Sequence, residues 1–289
     1  MVKSLTLVFF LHQLTSVLPG GGVHDWGYIK SYGNFKPDQW HLRYPKCGGK
    51  KQSPINIKDS LFQSDPSLGP LEFVSYDQPL TDLVMLNDGH TLKVNIPDKY
   101  DLQVKSTSLP APYKLSQFHF HWPSEHLVNG RHFPLELHLV HVNTAMPASE
   151  ALTKPAGLVV VAVMYDFTTD SNEVSDTMQW LGTNMDATET EGKNITLQTA
   201  LTLGNLLPPK RSSYIRYSGS LTTPPCSEVI EFHILTHTVL ITRNDLNRFR
   251  SLRHESQIGK NKAVEVSIQR NARPIQPLNG RKLRLFRDF

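Results

Sequence analysis

Two short segments of this chain alternate polar and apolar residues with period two, and each carries histidine on its polar phase. In Gln117-Phe118-His119-Phe120-His121-Trp122, strand geometry sends Gln117, His119 and His121 to one face and Phe118, Phe120 and Trp122 to the other. Residues 135–142 alternate in the same way, with Glu136, His138 and Val140 on one side and Leu135, Leu137 and Leu139 opposite. The aromatic and leucine faces demand a core; the imidazole faces fit a cavity. Paired antiparallel, the two strands bring three ring nitrogens together.

Three neutral imidazoles suit zinc, which prefers nitrogen or sulfur in tetrahedral geometry, and a three-ligand set leaves the fourth position for water. An open position implies catalysis, whereas a structural site would be closed by a fourth ligand, commonly cysteine, and this chain has only Cys47 and Cys226. An isolated pair of strand histidines carries little meaning by itself. Here Gln117 shares the ligand face with His119, and Glu136 with His138. Both neighbours are placed to hold the outer ring N–H and fix the tautomer. His141 has the parity of Leu137 and Leu139, so it is not expected to join the set.

The chain resembles the α-class carbonic anhydrases, of the secreted type, from about Trp26 to about Leu285. The motifs that carry the resemblance are Trp26-Gly27-Tyr28, Gln52-Ser53-Pro54-Ile55-Asn56-Ile57, Asn87-Asp88-Gly89-His90, the segment 117–122, Ser124-Glu125-His126, Glu136-Leu137-His138-Leu139-Val140-His141 and Gly219-Ser220-Leu221-Thr222-Thr223-Pro224-Pro225, in the family's order. The resemblance implies reversible hydration of carbon dioxide to bicarbonate and a proton by attack of a zinc-held hydroxide, with one Zn2+ on His119, His121 and His138. It further implies weak esterase activity and inhibition by primary sulfonamides.

By the same resemblance, Thr222 accepts the hydrogen bond of the hydroxide and passes its own proton toward Glu125. His90 shuttles the product proton, and Tyr28 helps order the intervening water. Val140, Val160, Leu221, Ile230 and Phe232 form the apolar wall for carbon dioxide, with Thr223 beside Thr222. Asn271 offers its backbone carbonyl to His121, a role expected to tolerate side-chain change. His126 joins a buried network with Glu136 and Tyr217, and Cys47 and Cys226 fall where exported members carry a disulfide; read from the residues alone, two unpaired thiols remain open. Four departures stand out. Asp88 replaces the usual asparagine, Lys93 a neutral residue and Phe232 a tryptophan, while Pro123-Ser124 alone bridges Trp122 and Glu125 where the family has a longer loop.

Short strand-like runs are spread along the whole chain, with no internal repeat or linker, so residues 23–289 read as one mainly β domain. The resemblance gives it a large, mostly antiparallel twisted sheet. Residues 170–181 and 243–252 are expected to be short surface helices. Residues 1–22 have a basic start and a brief apolar run before Pro19-Gly20-Gly21-Gly22, which reads as a signal peptide and points to secretion; the alternative is an uncleaved arm of a cytoplasmic protein. In the secretory pathway Asn194-Ile195-Thr196 would be a glycosylation acceptor. Residues 281–287 read as an edge strand with outward charges.

The formal charge of +4 is modest and dispersed, which excludes a nucleic-acid platform. No apolar run is long enough for a membrane span. No His-Glu-x-x-His segment supports a peptide-cleaving zinc enzyme. A noncatalytic relative on the same fold is the remaining alternative, and it is disfavoured by retention of all three histidines with Thr222 and Glu125. The expected partners are therefore carbon dioxide, water and bicarbonate.

Overall fold

The computed structural model describes residues 24–29, 33–257 and 263–288; residues 1–22, expected to be a signal peptide, lie outside the described residues. Ten strands form the main path of a thirteen-stranded sheet: β1 (Phe62–Ser64), β2 (Val84–Asn87), β3 (Leu92–Asn95), β4 (Tyr113–His121), β5 (Leu135–Asn143), β6 (Leu158–Phe167), β7 (Asn194–Thr196), β8 (Tyr214–Gly219), β9 (Ile230–Leu235) and β10 (Leu283–Phe286). Their spatial order is β7-β2-β3-β4-β5-β6-β9-β8-β10-β1. Most neighbours run antiparallel. The β6–β9 and β10–β1 pairs are parallel, so the sheet is mixed.

The pair β4–β5 sets the architecture of the site. Directly opposed residues share a face in an antiparallel ladder, and the register sets His119 against His138, His121 against Glu136 and Gln117 against Val140. A bulge between Leu115 and Gln117 shifts the register. It turns Leu115 into the core opposite His141 while Gln117 faces the cavity, so the polar phase begins at the bulge.

Phe118, Phe120 and Trp122 are fully buried on the other face, where Phe249 meets the rings of Phe120 and Trp122 at 4.9 and 5.4 Å. Phe249 belongs to helix α2 (Arg243–Ser251), which starts at a capping box formed by Thr242 and Asp245. The strand carrying two of the histidines is thus fixed from behind. Truncating an aromatic of this kind to alanine costs about 3–5 kcal/mol.

Two expectations need correction. The helix expected over 170–181 is a 3-10 turn at Ser171–Glu173 followed by α1 (Asp176–Asn184), because Ser175 accepts the Met178 amide and caps the helix there. The basic C-terminal segment is not an edge: β1 covers β10, Leu283 and Leu285 are buried, and the Arg284 Nε donates to Asp65 at 2.5 Å. No helix among the described residues is long and apolar enough to cross a membrane.

Candidate active site

The three imidazoles of β4 and β5 converge as their parity predicts. Ring centroids of His119, His121 and His138 lie 4.7 to 5.3 Å apart, and one nitrogen from each comes within 4.8 Å of the others. The outer nitrogens are all engaged. His119 Nδ1 donates to Gln117 Oε1 at 2.9 Å, His121 Nδ1 to the Asn271 carbonyl at 2.9 Å, and His138 Nε2 to Glu136 Oε1 at 2.6 Å. Because each acceptor is an oxygen without a proton to give, the tautomers leave Nε2, Nε2 and Nδ1 as lone-pair nitrogens facing inward. Buried His121 Nε2 has no hydrogen-bond partner among the described residues. Such an orphan among three neutral nitrogen donors fits a zinc ion.

Burial pushes the His119 and His121 imidazoles below their ordinary range, which keeps them neutral as ligands must be. At His138 burial acts in the same sense, but the Glu136 carboxylate outweighs it and raises the ring. Glu136 Oε1 also accepts His126 Nδ1 at 2.7 Å, and its Oε2 accepts the His126 amide at 2.8 Å. The chain continues outward: Tyr217 donates to His126 Nε2 at 2.6 Å, and Ser53 Oγ lies 2.8 Å from the Tyr217 hydroxyl. His126 therefore has the structural position expected of it, and its grouping with Glu136 and His138 is a hydrogen-bond network. His141 is also accounted for, bonded at 2.5 Å to the Tyr76 hydroxyl on the core face.

Asn271 does more than lend a carbonyl. Its side chain accepts the Trp122 amide at 2.7 Å and donates to the carbonyls of His90 and Phe120 at 2.9 and 3.0 Å. The expected tolerance to side-chain change is therefore overturned: a buried amide making three bonds is not exchangeable.

Glu125, reached by the short connection through Pro123-Ser124, is completely buried. Its Oε1 accepts the Arg273 amide at 3.0 Å, while Oε2 lies 3.4 Å from His121 Nε2 with no hydrogen-bond partner among the described residues. The hydrogen bond expected from Thr222 is thus not the one that holds Glu125. Arg273 went unnoticed at the sequence level. Its guanidinium donates to Gln52 Oε1 and the carbonyls of Ser53 and Cys47, tying the site to the 47–53 segment.

Above the imidazoles opens a cavity of about 100 Å³ lined by Val140, Val160, Leu221, Ile230 and Phe232, with Thr222, Thr223, Tyr28 and His90 on its walls. All the apolar residues expected around a small uncharged substrate meet there. Phe232 stacks on Tyr217 with centroids 5.1 Å apart and meets His138 edge-on at 5.7 Å, so the aromatic bulk is retained without an indole donor. Burial, with the Glu125 and Asp88 charges, raises the Tyr28 hydroxyl well above its usual range and keeps it a donor.

His90 is not an exposed turn residue. It stacks on Trp26 at 3.8 Å with nearly parallel planes and is 6% exposed. Asp88 Oδ1 accepts the His90 and Thr91 amides at 3.0 and 2.9 Å, and Gly89, at φ +83°, completes the turn. Asp88 Oδ2 lies 3.3 Å from Lys93 Nζ, so the two unusual charges face each other. Burial dominates at His90 and lowers its pKa to about 3, against the pull of Asp88.

Cys47 and Cys226 form a disulfide that spans 179 residues and anchors the loop carrying Thr222. Asn194 is exposed at the start of β7.

The sequence matches the family model of eukaryotic-type carbonic anhydrase over residues 35–287. It is 37% identical over 272 residues to carbonic anhydrase 7 of Homo sapiens, covering 90% of this chain and 96% of that protein. With carbonic anhydrase 7 of Mus musculus the identity is 36% at the same coverage. On this evidence the chain belongs to the eukaryotic-type carbonic anhydrase family, zinc-dependent enzymes that interconvert carbon dioxide and bicarbonate.

Proposed function

We propose that this chain hydrates carbon dioxide at the His119, His121 and His138 site, with one zinc ion held by His119 Nε2, His121 Nε2 and His138 Nδ1. The observation that carries the reading is the inward convergence of three nitrogens whose ring partners are each held by an oxygen acceptor. Zinc held there supplies the Lewis acidity that makes water nucleophilic at neutral pH, a role for which carbonic anhydrase is itself the standard example.

The protein supplies position and exclusion. Val140, Val160, Leu221, Ile230 and Phe232 offer carbon dioxide no hydrogen bond, so ordered water yields to it against that wall. Thr222 lines the same cavity, where its hydroxyl oxygen would orient the attacking oxygen by accepting a hydrogen bond from it. Glu125, fixed by the Arg273 amide, is the acceptor toward which the Thr222 hydroxyl would point its hydrogen. Thr223 and Tyr28 order the remaining solvent, and His90 accepts the proton that turnover releases. Burial disfavours the charged form of His90 in the stacked position.

We further propose export from the cell. The Cys47–Cys226 bridge supports an oxidising compartment, and the basic, apolar start of residues 1–22 supports a signal peptide ahead of a domain at 23–289. Exposed Asn194 is then available for glycosylation. The likeness to carbonic anhydrase 7 speaks to the family and not to this subtype. N-terminal sequencing of the protein recovered from culture medium tests it; recovery only inside cells with Met1 or Val2 retained would refute export.

The activity itself is tested by metal analysis and stopped-flow carbon dioxide hydration. One zinc per chain and fast hydration are expected for the native sequence, and loss of both for His119→Ala. Full hydration by His119→Ala would overturn the assignment.

A further inference from the structure

A proton on His90 has no broad contact with bulk solvent. Trp26 covers one ring face, the turn fixed by Asp88 lies beneath, and the ring is 6% exposed. Its neighbour toward the rim is another imidazole: His24 meets His90 edge-to-face, with centroids 5.2 Å apart and planes at 72°. His24 Nε2 donates to Glu191 Oε1 at 2.5 Å, and Glu191 Oε2 accepts the Glu255 amide at 2.8 Å. The two side chains remain 13% and 12% exposed, so the pair sits at the boundary between the buried ring and solvent. A carboxylate bonded to one nitrogen of an imidazole fixes the tautomer and makes the other nitrogen the more basic.

We propose that the product proton leaves by a relay from His90 to His24, with Glu191 as the positioning residue that orients the His24 ring. This rests on the reading of His90 as the proton acceptor. In the transfer an N–H bond of protonated His90 breaks and one forms at His24 Nδ1. The positive charge passes to the ring that faces Glu191. The His24 proton then moves to solvent buffer, and both rings are neutral again.

The surrounding charges favour this direction. Under His90, Asp88 and Lys93 face each other and largely offset. His254, from the 253–257 strand, adjoins both rings and is held neutral by burial, with a pKa of about 4. Glu191 is the carboxylate that His24 faces.

The test is the maximal hydration rate of the zinc-loaded enzyme in dilute buffer, with and without added imidazole, for the native sequence, Glu191→Gln, His24→Asn and His90→Ala. Glu191→Gln keeps an oxygen for the Glu255 amide. The relay predicts that Glu191→Gln and His24→Asn lower the dilute-buffer kcat about tenfold, less than the roughly 10²-fold cost of removing an acid–base group outright. In both, kcat/KM stays unchanged and imidazole restores kcat. Full rates in both variants beside a deficient His90→Ala would overturn the relay and leave His90 passing its proton directly to solvent. A full rate in His90→Ala would overturn the reading of His90, and the relay with it. A fall in kcat/KM, or failure of imidazole to restore the rate, would assign His24 and Glu191 a structural role and overturn the relay.

Discussion

His119 and His138 stand directly opposite each other across the β4–β5 pair, with ring centroids 5.3 Å apart and planes at 90°. Each is reached from its own strand by a same-face neighbour two residues away, Gln117 for one and Glu136 for the other. Two strands thus deliver ligands and their orienting groups together.

Gln117 is the cleaner of the two to remove, since Glu136 also holds His126 in the interior. Gln117→Ala frees the His119 ring to turn and to change tautomer. Zinc affinity should fall by about 10–100-fold with the fold unchanged. Competition with a chelator of known affinity measures this, and an unaltered zinc constant would mean that packing alone orients His119.

The apolar wall makes a steric prediction. Val140 is buried and opens onto the cavity beside Gln117. Val140→Phe fills the space that carbon dioxide needs while leaving the imidazoles in place. The variant should retain zinc and lose about 10²-fold or more in kcat/KM, the scale of an ångström-sized misplacement. Equal activity with bulk at residue 140 would move the substrate position elsewhere.

Parity explains why this much was readable. Gln117, His119, His121, Glu136 and His138 lie on two continuous strands, so period two alone assigns their faces. The bulge before Gln117 leaves no local mark in the sequence, yet it decides where the polar phase starts. Partners separated by about 150 residues, such as Asn271 with His121 or Arg273 with Glu125, follow from the path of the chain and not from any local pattern. The same holds for the closeness of Trp26, His24 and His90 and for the strand Phe62–Ser64 that covers the basic C-terminal segment. For these, the resemblance supplied some positions and the structure the rest.

The Cys47–Cys226 bridge closes a loop of 179 residues in sequence separation. Its neighbours lean on it: Gln52 Nε2 donates to the Cys226 carbonyl and Arg273 to that of Cys47. The double substitution Cys47→Ser with Cys226→Ser should lower the unfolding free energy by about 2–5 kcal/mol. It should also reduce kcat, because Thr222 loses the anchor of its loop. Urea unfolding and hydration assays check the two effects, and unchanged stability would mean that the 47–53 segment is held by its hydrogen bonds alone.

His233, on β9 with its ring 5.0 Å from that of Tyr214, predicts an acid dependence unrelated to catalysis. The ring is fully buried, and neither nitrogen has a hydrogen-bond partner among the described residues. Burial, reinforced by Arg216 and only partly opposed by the nearby Glu231 backbone, which falls short of hydrogen-bond geometry, lowers its pKa to about 3 from the ordinary 6.5. The folded state therefore keeps His233 neutral while the unfolded chain takes up a proton as soon as pH falls below 6.5. The sign follows: this contribution is fully present above 6.5 and is lost as pH falls toward 3, at up to about 1.4 kcal/mol per pH unit. His233→Leu removes the titrating group and keeps an apolar side chain in the same space. Between roughly pH 7.5 and roughly pH 5, the native sequence should lose about 2 kcal/mol relative to His233→Leu. Urea unfolding of both zinc-loaded proteins at the two pH values measures the difference, in which the titration of the other histidines cancels. Parallel stability curves would show that His233 is protonated in the folded protein and that a water or an unseen partner satisfies it.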